Sequence, residues 1–149
     1  SDFKRRLITL QPGEKMRLFG PHGEIYVRKN TKQIVGLAGR IGITPFRSIV
    51  SDLTHKHSPV KLPLIYSARD NLYTYKSELE SWRAQNPNIE IIYTATPEEV
   101  NVELDKQIST HQNNAYYFIA GPPKMVESLR DSLSSKGLKN IVSDPFKGY

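Results

Sequence analysis

The chain has 149 residues, a net charge of +6, 38% apolar and 24% charged residues, and no cysteine. That length suits one domain, or one domain with a fragment, and roughly 70% of the unfolded surface is hidden at about 150 residues. Without cysteine there is no disulfide frame, no thiolate nucleophile and no cysteine-bound zinc or iron–sulfur cluster.

The first 30 residues read as antiparallel β structure. Met16–Phe19 and Glu24–Val27 suit short strands, and Gly20-Pro21-His22-Gly23 suits the turn between them. Two strands alone are marginal in water, so this segment reads as a piece of something larger. From residue 33 strands and helices alternate. Gln33–Ala38 is the first apolar strand. Thr44 suits a helix cap and Pro45 the first helical position, while Phe46, Ile49, Val50 and Leu53 follow at helical spacing. Leu62–Ser67 is the second strand, and Leu72, Tyr75, Leu79 and Trp82 make one face of the second helix. Ile89–Thr94 is the third strand. Thr96-Pro97-Glu98-Glu99 has the pattern of a capping box, ahead of an inward face of Val100, Leu104 and Ile108. Ala115–Ala120 is the fourth strand. Pro122 and Pro123 open the last helix, Val126, Leu129 and Leu133 face inward, and Gly137 ends it. Asn140–Ser143 is the fifth strand. The fold class expected is α/β, a five-stranded parallel doubly wound sheet of Rossmann-like type with a short antiparallel fragment ahead of it.

Ligands of such sheets bind beyond the carboxyl ends of the strands, where strand order reverses. The turns after each strand are therefore the candidate site. After the first strand comes Gly39-Arg40-Ile41-Gly42-Ile43-Thr44-Pro45, a glycine turn feeding a helix start, where backbone N–H groups are open to phosphate oxygens. After the second comes Ser67-Ala68-Arg69, whose arginine suits a ribose phosphate or an adenine face as well as a solvated loop. Thr94-Ala95-Thr96 follows the third. Gly121-Pro122-Pro123 follows the fourth, a rigid turn with room for a flat ring. Met125 after it reads as core packing, and the terminal Tyr149 has an aromatic ring able to stack on another. The four histidines, His22, His55, His57 and His111, are scattered and suggest no metal site. No nucleophile–base pair stands out, so no catalytic residue is assigned. Charge is uneven: residues 1–61 carry 12 Lys/Arg against 4 Asp/Glu, and the remainder 9 against 11. The basic half suits an anionic ligand or an acidic protein. The basic residues accompany no nucleic-acid-binding motif, so no nucleic-acid partner is expected. No apolar run approaches the ~20 residues of a membrane helix, and no membrane span is expected. Ser1–Arg6 lacks the apolar core of a signal peptide. A cytoplasmic location is the expectation.

Taken together the turns resemble those of the ferredoxin–NADP reductase superfamily. Gly39–Ser48 resembles its pyridine-nucleotide turn, Ala120–Val126 its nicotinamide-side turn, Tyr66–Arg69 its second-strand turn, and Phe146–Tyr149 the C-terminus of its bacterial members. The resemblance implies an NAD(P)-binding domain over residues 31–149. It also implies that residues 1–30 are the tail of a flavin-binding β-barrel, with Ser1 at a helix start that meets the flavin pyrophosphate. NAD or NADP and, in the intact protein, FAD are the implied cofactors. The implied activity is an FAD-dependent NAD(P)H oxidoreductase that passes hydride to the flavin and electrons on to an acceptor. By the same resemblance Gly39, Gly42, Ile43 and Thr44 hold the pyrophosphate, Gly121 and Pro122 wall the nicotinamide, and Tyr149 covers the flavin. The family's upstream flavin-ring segment has no counterpart here, so the 149-residue chain alone is expected to lack flavin and activity. A second reading makes the chain a non-catalytic dinucleotide-binding or docking module for an acidic electron-transfer partner. The apolar strands of residues 1–30 point to a homodimer through that segment. Three departures stand out. Arg40 replaces the turn's usual Gly, and either crowds the dinucleotide or lends its charge to a phosphate. Ala120 stands where many members place Cys. Thr94-Ala95-Thr96 lacks the Arg typical of NADP-specific members, which favours NAD, while Arg69 offers an alternative partner for a 2′-phosphate.

Overall fold

The structure, a computed structural model, describes residues 2–17 and 23–146. Runs of five or six residues form the strands β1 (Ile34–Gly39), β2 (Leu62–Ser67), β3 (Ile89–Thr94), β4 (Tyr116–Gly121) and β5 (Ile141–Pro145); the central β1, β2 and β4 are buried toward both faces, and the edge strands β3 and β5 only in part. All pair in parallel, in the order β3-β2-β1-β4-β5. Side chains alternate across a strand, so each strand feeds two cores. Helices α2 (Ile43–His55) and α3 (Lys76–Gln85) cover one face, through Phe46, Ile49, Val50, Leu53 and Leu79. Helices α4 (Pro97–His111) and α5 (Pro123–Ser135) cover the other, through Val100, Leu104, Val126, Leu129 and Leu133. The parallel doubly wound sheet expected from the alternating pattern is therefore the fold observed. Strand order reverses at β1, which lies between β2 and β4.

Helix α1 (Asp2–Thr9) precedes the sheet and buries none of its residues. The antiparallel fragment expected in residues 1–30 is not formed among the described residues. Glu24–Val27 lies outside any strand, as do Met16 and Arg17, whereas Leu18 and Phe19 and the turn Gly20-Pro21-His22 lie outside the described residues. Instead, Ile25 and Val27 pack against the core of the α2–α3 face. Arg28 fixes this strap, its guanidinium 4.8 Å from the Tyr26 ring centre, 5.3 Å from that of Tyr116 and 5.9 Å from that of Phe118. Among the described residues, the apolar side chains Ile25 and Val27 thus find their partner on the sheet's face.

Two helix starts also differ from expectation. Arg40–Gly42 forms a 3₁₀ turn, so α2 begins at Ile43 behind the backbone of Gly42, and Thr44 lies within the first helical turn instead of capping it. Tyr75 has φ +63°, which stops helical backbone there, and α3 starts at Lys76. Leu72 then lies in the preceding loop, exposed, where the Asp70 carboxylate accepts its N–H at 3.2 Å.

Candidate functional site

Gly39, Ser67 and Thr94 are register neighbours across β1, β2 and β3, at the carboxyl ends of the strands. They share the face covered by α4 and α5, because Val35 and Leu37 of β1 and Ile65 of β2 point into that core. Above this row lies a cleft of about 560 Å³. Its walls include Ser67, Arg69, Ala95, Pro97, Val100 and Asn101 on the β2–β3 side and Pro122, Pro123, Lys124, Met125, Ser128 and Leu129 on the β4 side, with Gly39 and Arg40 between. A volume of this order is typical of a small-molecule or cofactor site, as are apolar walls with a few polar groups.

Of the residues singled out in the sequence, Gly39, Arg40, Ser67, Arg69, Pro122 and Pro123 come together in this cleft. Thr94 stands beside Ser67 with its side chain buried, and its hydroxyl has no hydrogen-bond partner among the described residues. Gly42, Ile43, Thr44 and Pro45 are not among the cleft walls. Gly42 is a packing residue, since a Cβ there would overlap the Ala120 carbonyl. The Ile43 N–H donates to the carbonyls of Arg40 and Ile41, so this amide is already satisfied by the 3₁₀ turn. Gly121 is buried beside Gly39, where a Cβ would stand 3.2 Å from the Gly39 backbone. Ser1 and Tyr149 lie outside the described residues.

The arginine at the unusual position takes the conformation that the glycine turn requires. Arg40 has φ +49°, in the left-handed region, with an exposed side chain at the cleft. Arg40, Arg69 and Lys124 form no ion pair among the described residues. Three uncompensated cations thus surround walls formed by Pro97, Val100, Leu129 and Pro122. Such a donor set fits a ligand with both phosphate charge and flat rings. The third-strand end has the opposite sign. A Glu99 carboxylate oxygen accepts the Ala95 N–H at 2.7 Å, and Thr96 caps α4 by accepting the Glu99 N–H at 3.2 Å. The reciprocal arm of the capping box therefore reaches Ala95 instead of Thr96.

Asn101 and Ser128 were not among the residues singled out. Their signal is helical spacing: Pro97, Val100 and Asn101, like Met125, Ser128 and Leu129, stand at i, i+3 and i+4. Met125 does pack against the α4–α5 core as its apolar character suggests, and it also faces the cleft.

The model of the oxidoreductase NAD-binding domain family matches residues 37–131. The chain belongs to that family. The matched span runs from within β1 to within α5 and so contains the first three turns and the Gly121-Pro122-Pro123 turn. In sequence this NAD-binding domain is similar to a subunit of the Na(+)-translocating NADH-quinone reductase of Haemophilus influenzae, with 28% identity over 158 residues, covering 94% of this chain and 38% of that protein. The corresponding protein of Psychrobacter cryohalolentis is also 28% identical, with 95% and 39% coverage. The domain therefore spans well under half the length of these relatives. Among solved structures it is similar to ferredoxin-NADP+ reductase from Plasmodium falciparum, with a TM-score of 0.66 and 22% identity over 84% of this chain and 58% of that one. It is likewise similar to flavohemoglobin from Malassezia yamatoensis with bound FAD and heme, with a TM-score of 0.65 and 20% identity over 93% and 42%. These likenesses match the ferredoxin-reductase type of sheet expected from the turns. Among the described residues no helix is long and apolar enough to cross a membrane, and no group of His, Cys, Asp or Glu is arranged to hold a metal ion.

Proposed function

We propose that the cleft holds a nicotinamide dinucleotide lying across the carboxyl ends of β3, β2, β1 and β4. The observation that carries this reading is the trio of unpaired cations, Arg40, Arg69 and Lys124, around one apolar-walled cleft at the point where strand order reverses. The adenylate half lies toward Ser67, Arg69, Pro97 and Asn101, and the nicotinamide half toward Pro122 and Pro123. Arg40 and Lys124 neutralise the pyrophosphate between them. This assigns Arg40 the role of a phosphate ligand, with its side chain, not the amides of Gly42, Ile43 and Thr44, carrying the contact.

NADH is the preferred dinucleotide. The Glu99 carboxylate sits on Ala95, at the end of the cleft where a 2′-phosphate would add charge, and the Thr94-Ala95-Thr96 turn after β3 carries no cation. Arg69 then serves the adenylate's own phosphate.

In the longer protein the chain acts as the reductant-binding part of a flavin-dependent oxidoreductase. Residues 1–30 are the end of its flavin-binding barrel, Ser1 and Tyr149 meet the flavin, and an acidic partner accepts the electrons. When bound, the dinucleotide would supply the hydride that a flavin of the longer protein takes up. This chain's residues bind, orient and screen charge; no side chain here is asked to move a proton. Support comes from the 94% of this chain that aligns with a component of an NADH-quinone reductase and from the flavin-containing structural neighbour.

Calorimetric titration of the 149-residue chain with NADH, NADPH and ADP tests the reading. NADH and ADP should bind with dissociation constants no weaker than about millimolar, equivalent to roughly 4 kcal/mol, and NADPH more weakly than NADH. Arg69→Ala should weaken ADP and NADH alike. If none of the three ligands binds in that range, the assignment fails. NADPH binding more tightly than NADH would reverse the cofactor preference. The same preparations are expected to be colourless; a stoichiometric flavin spectrum would refute the view that the flavin site needs more chain than this.

A further inference from the structure

Gly39 and Arg40 lie where the two halves of the cleft meet, since β1 pairs with β2 on one side and β4 on the other. Gly39 offers bare backbone at this junction, but the space above it is filled. A Cβ on Gly39 would overlap Met125 Sδ, with Met125 Cε 3.2 Å and Pro122 Cδ 3.0 Å away. The thioether therefore rests on Gly39 at the middle of the cleft. Met125 belongs to the first turn of α5, is partly buried, and packs on the α4–α5 core. Its side chain is unbranched, makes no hydrogen bond, and borders open space within the cleft. Such a side chain changes rotamer easily, whereas Pro122 beside it is rigid.

We propose that Met125 is a movable partition that decides whether the cleft takes a whole dinucleotide or only its adenylate half. The proposal rests on the reading of the cleft as a dinucleotide site. ADP reaches Ser67, Arg69 and Asn101, and brings its phosphates to the exposed Arg40 side chain, with Met125 in place. A whole dinucleotide must pass over Gly39 to reach Pro122, and so requires the thioether to swing aside. Part of the affinity of the nicotinamide half is spent on that displacement. The free chain consequently distinguishes poorly between NADH and ADP, although NADH carries an entire nicotinamide riboside more.

The chain has two methionines, Met16 and Met125, so methyl-¹³C-methionine labelling gives two resonances. Titrations of the labelled chain with ADP and NADH, with calorimetry in parallel, read the partition directly. NADH should move the Met125 methyl resonance; ADP should bind yet leave it in place. Met125→Ala should raise the affinity for NADH relative to ADP about fivefold, the size of one rotamer penalty, without changing that for ADP. Should that variant fail to fold, Met125→Ile, stiff at its first torsion, should lower the same ratio by a similar factor. If ADP moves the resonance as far as NADH does, or the variants leave the ratio unchanged, the partition is overturned while the cleft reading stands. If neither ligand binds at about millimolar concentration, the cleft reading fails and the partition with it.

Discussion

Tyr93 donates its hydroxyl hydrogen to a carboxylate oxygen of Glu80 at 2.9 Å, joining β3 to α3. Its ring centre lies 4.7 Å from that of Tyr73 and 6.2 Å from that of Tyr66, and the Lys76 ammonium lies 4.7 Å above it. Burial, and then the hydrogen bond to the Glu80 carboxylate, push the Tyr93 phenol well above its ordinary value of 10.0. Burial pushes Tyr66, Tyr73 and Tyr117 in the same direction. A raised folded-state pKa stabilises the fold fully below the unfolded value and loses that contribution as pH rises toward the folded value. Stability should therefore fall steeply above about pH 10. Tyr93→Phe should lose about 1 kcal/mol at pH 8 through the missing hydrogen bond, and its decline above pH 10 should be shallower. Urea midpoints against pH measure both; an unchanged alkaline slope in Tyr93→Phe would clear Tyr93 of the effect.

Arg40 combines a strained backbone with a useful charge, and the two separate on substitution. At φ +49° a non-glycine residue carries about 1–2 kcal/mol of strain. Arg40→Gly should therefore keep or raise stability, because relief of strain opposes the greater chain entropy of glycine. The same change should weaken NADH binding about tenfold, with a flatter dependence on salt, if the guanidinium meets phosphate. Thermal unfolding and calorimetry at two ionic strengths separate these effects. Tighter binding in Arg40→Gly would mean that the side chain crowds the dinucleotide.

Gly42 is constrained by space and not by backbone angle, since its φ is −60°. A Cβ would overlap the carbonyl oxygen and carbon of Ala120 and crowd the Cα of Gly121. Backbone cannot step aside as a flexible side chain does, so Gly42→Ala should cost about 2–3 kcal/mol by overpacking. A lower urea midpoint with unchanged denaturant slope is the expected signature. If the midpoint does not move, β4 yields to the α2 turn more readily than this packing implies.

The sheet was legible because β2 and β3 are short apolar runs bounded by turn residues, and the structure gives both the limits read from sequence, Leu62–Ser67 and Ile89–Thr94. Short β-branched and aromatic runs bounded by turn residues write their limits into composition, in the buried β2 and in the edge strand β3 alike. Helix starts were less legible: Tyr75 and Arg40 take positive φ, a choice that tertiary packing makes and residue type does not advertise. The cleft was legible where it is built of turns, at Gly39, Ser67, Arg69 and Pro122. It was less legible where helices supply its walls, at Asn101 and Ser128, because an exposed polar residue one turn into a helix looks like any surface position until its helical spacing to the apolar wall residues is placed on the sheet. Met125 illustrates the remaining gap. Sequence marks it as apolar, but its place over Gly39 depends on β1 and β4 being neighbours, which only the strand order supplies.

The reading of residues 1–30 as a self-association surface changes in its physical basis. Strand pairing is not available at Glu24–Val27, where no strand forms, but α1 presents apolar side chains instead. Phe3 is 66% exposed and Ile8 85%, and Leu7 stands one turn from Phe3. Exposed apolar side chains on one short helix favour burial against a second copy, most simply about a two-fold axis. We expect the full chain to show concentration-dependent dimerisation in size-exclusion with light scattering, and Phe3→Ser with Ile8→Ser together to abolish it. A chain starting near Lys32 should be monomeric too, but it also loses Ile25 and Val27 from the α2–α3 core, so its stability needs separate measurement. The double substitution touches no buried residue and is the cleaner probe. A full chain that stays monomeric at high concentration, or a double variant that dimerises equally well, would remove α1 as the interface.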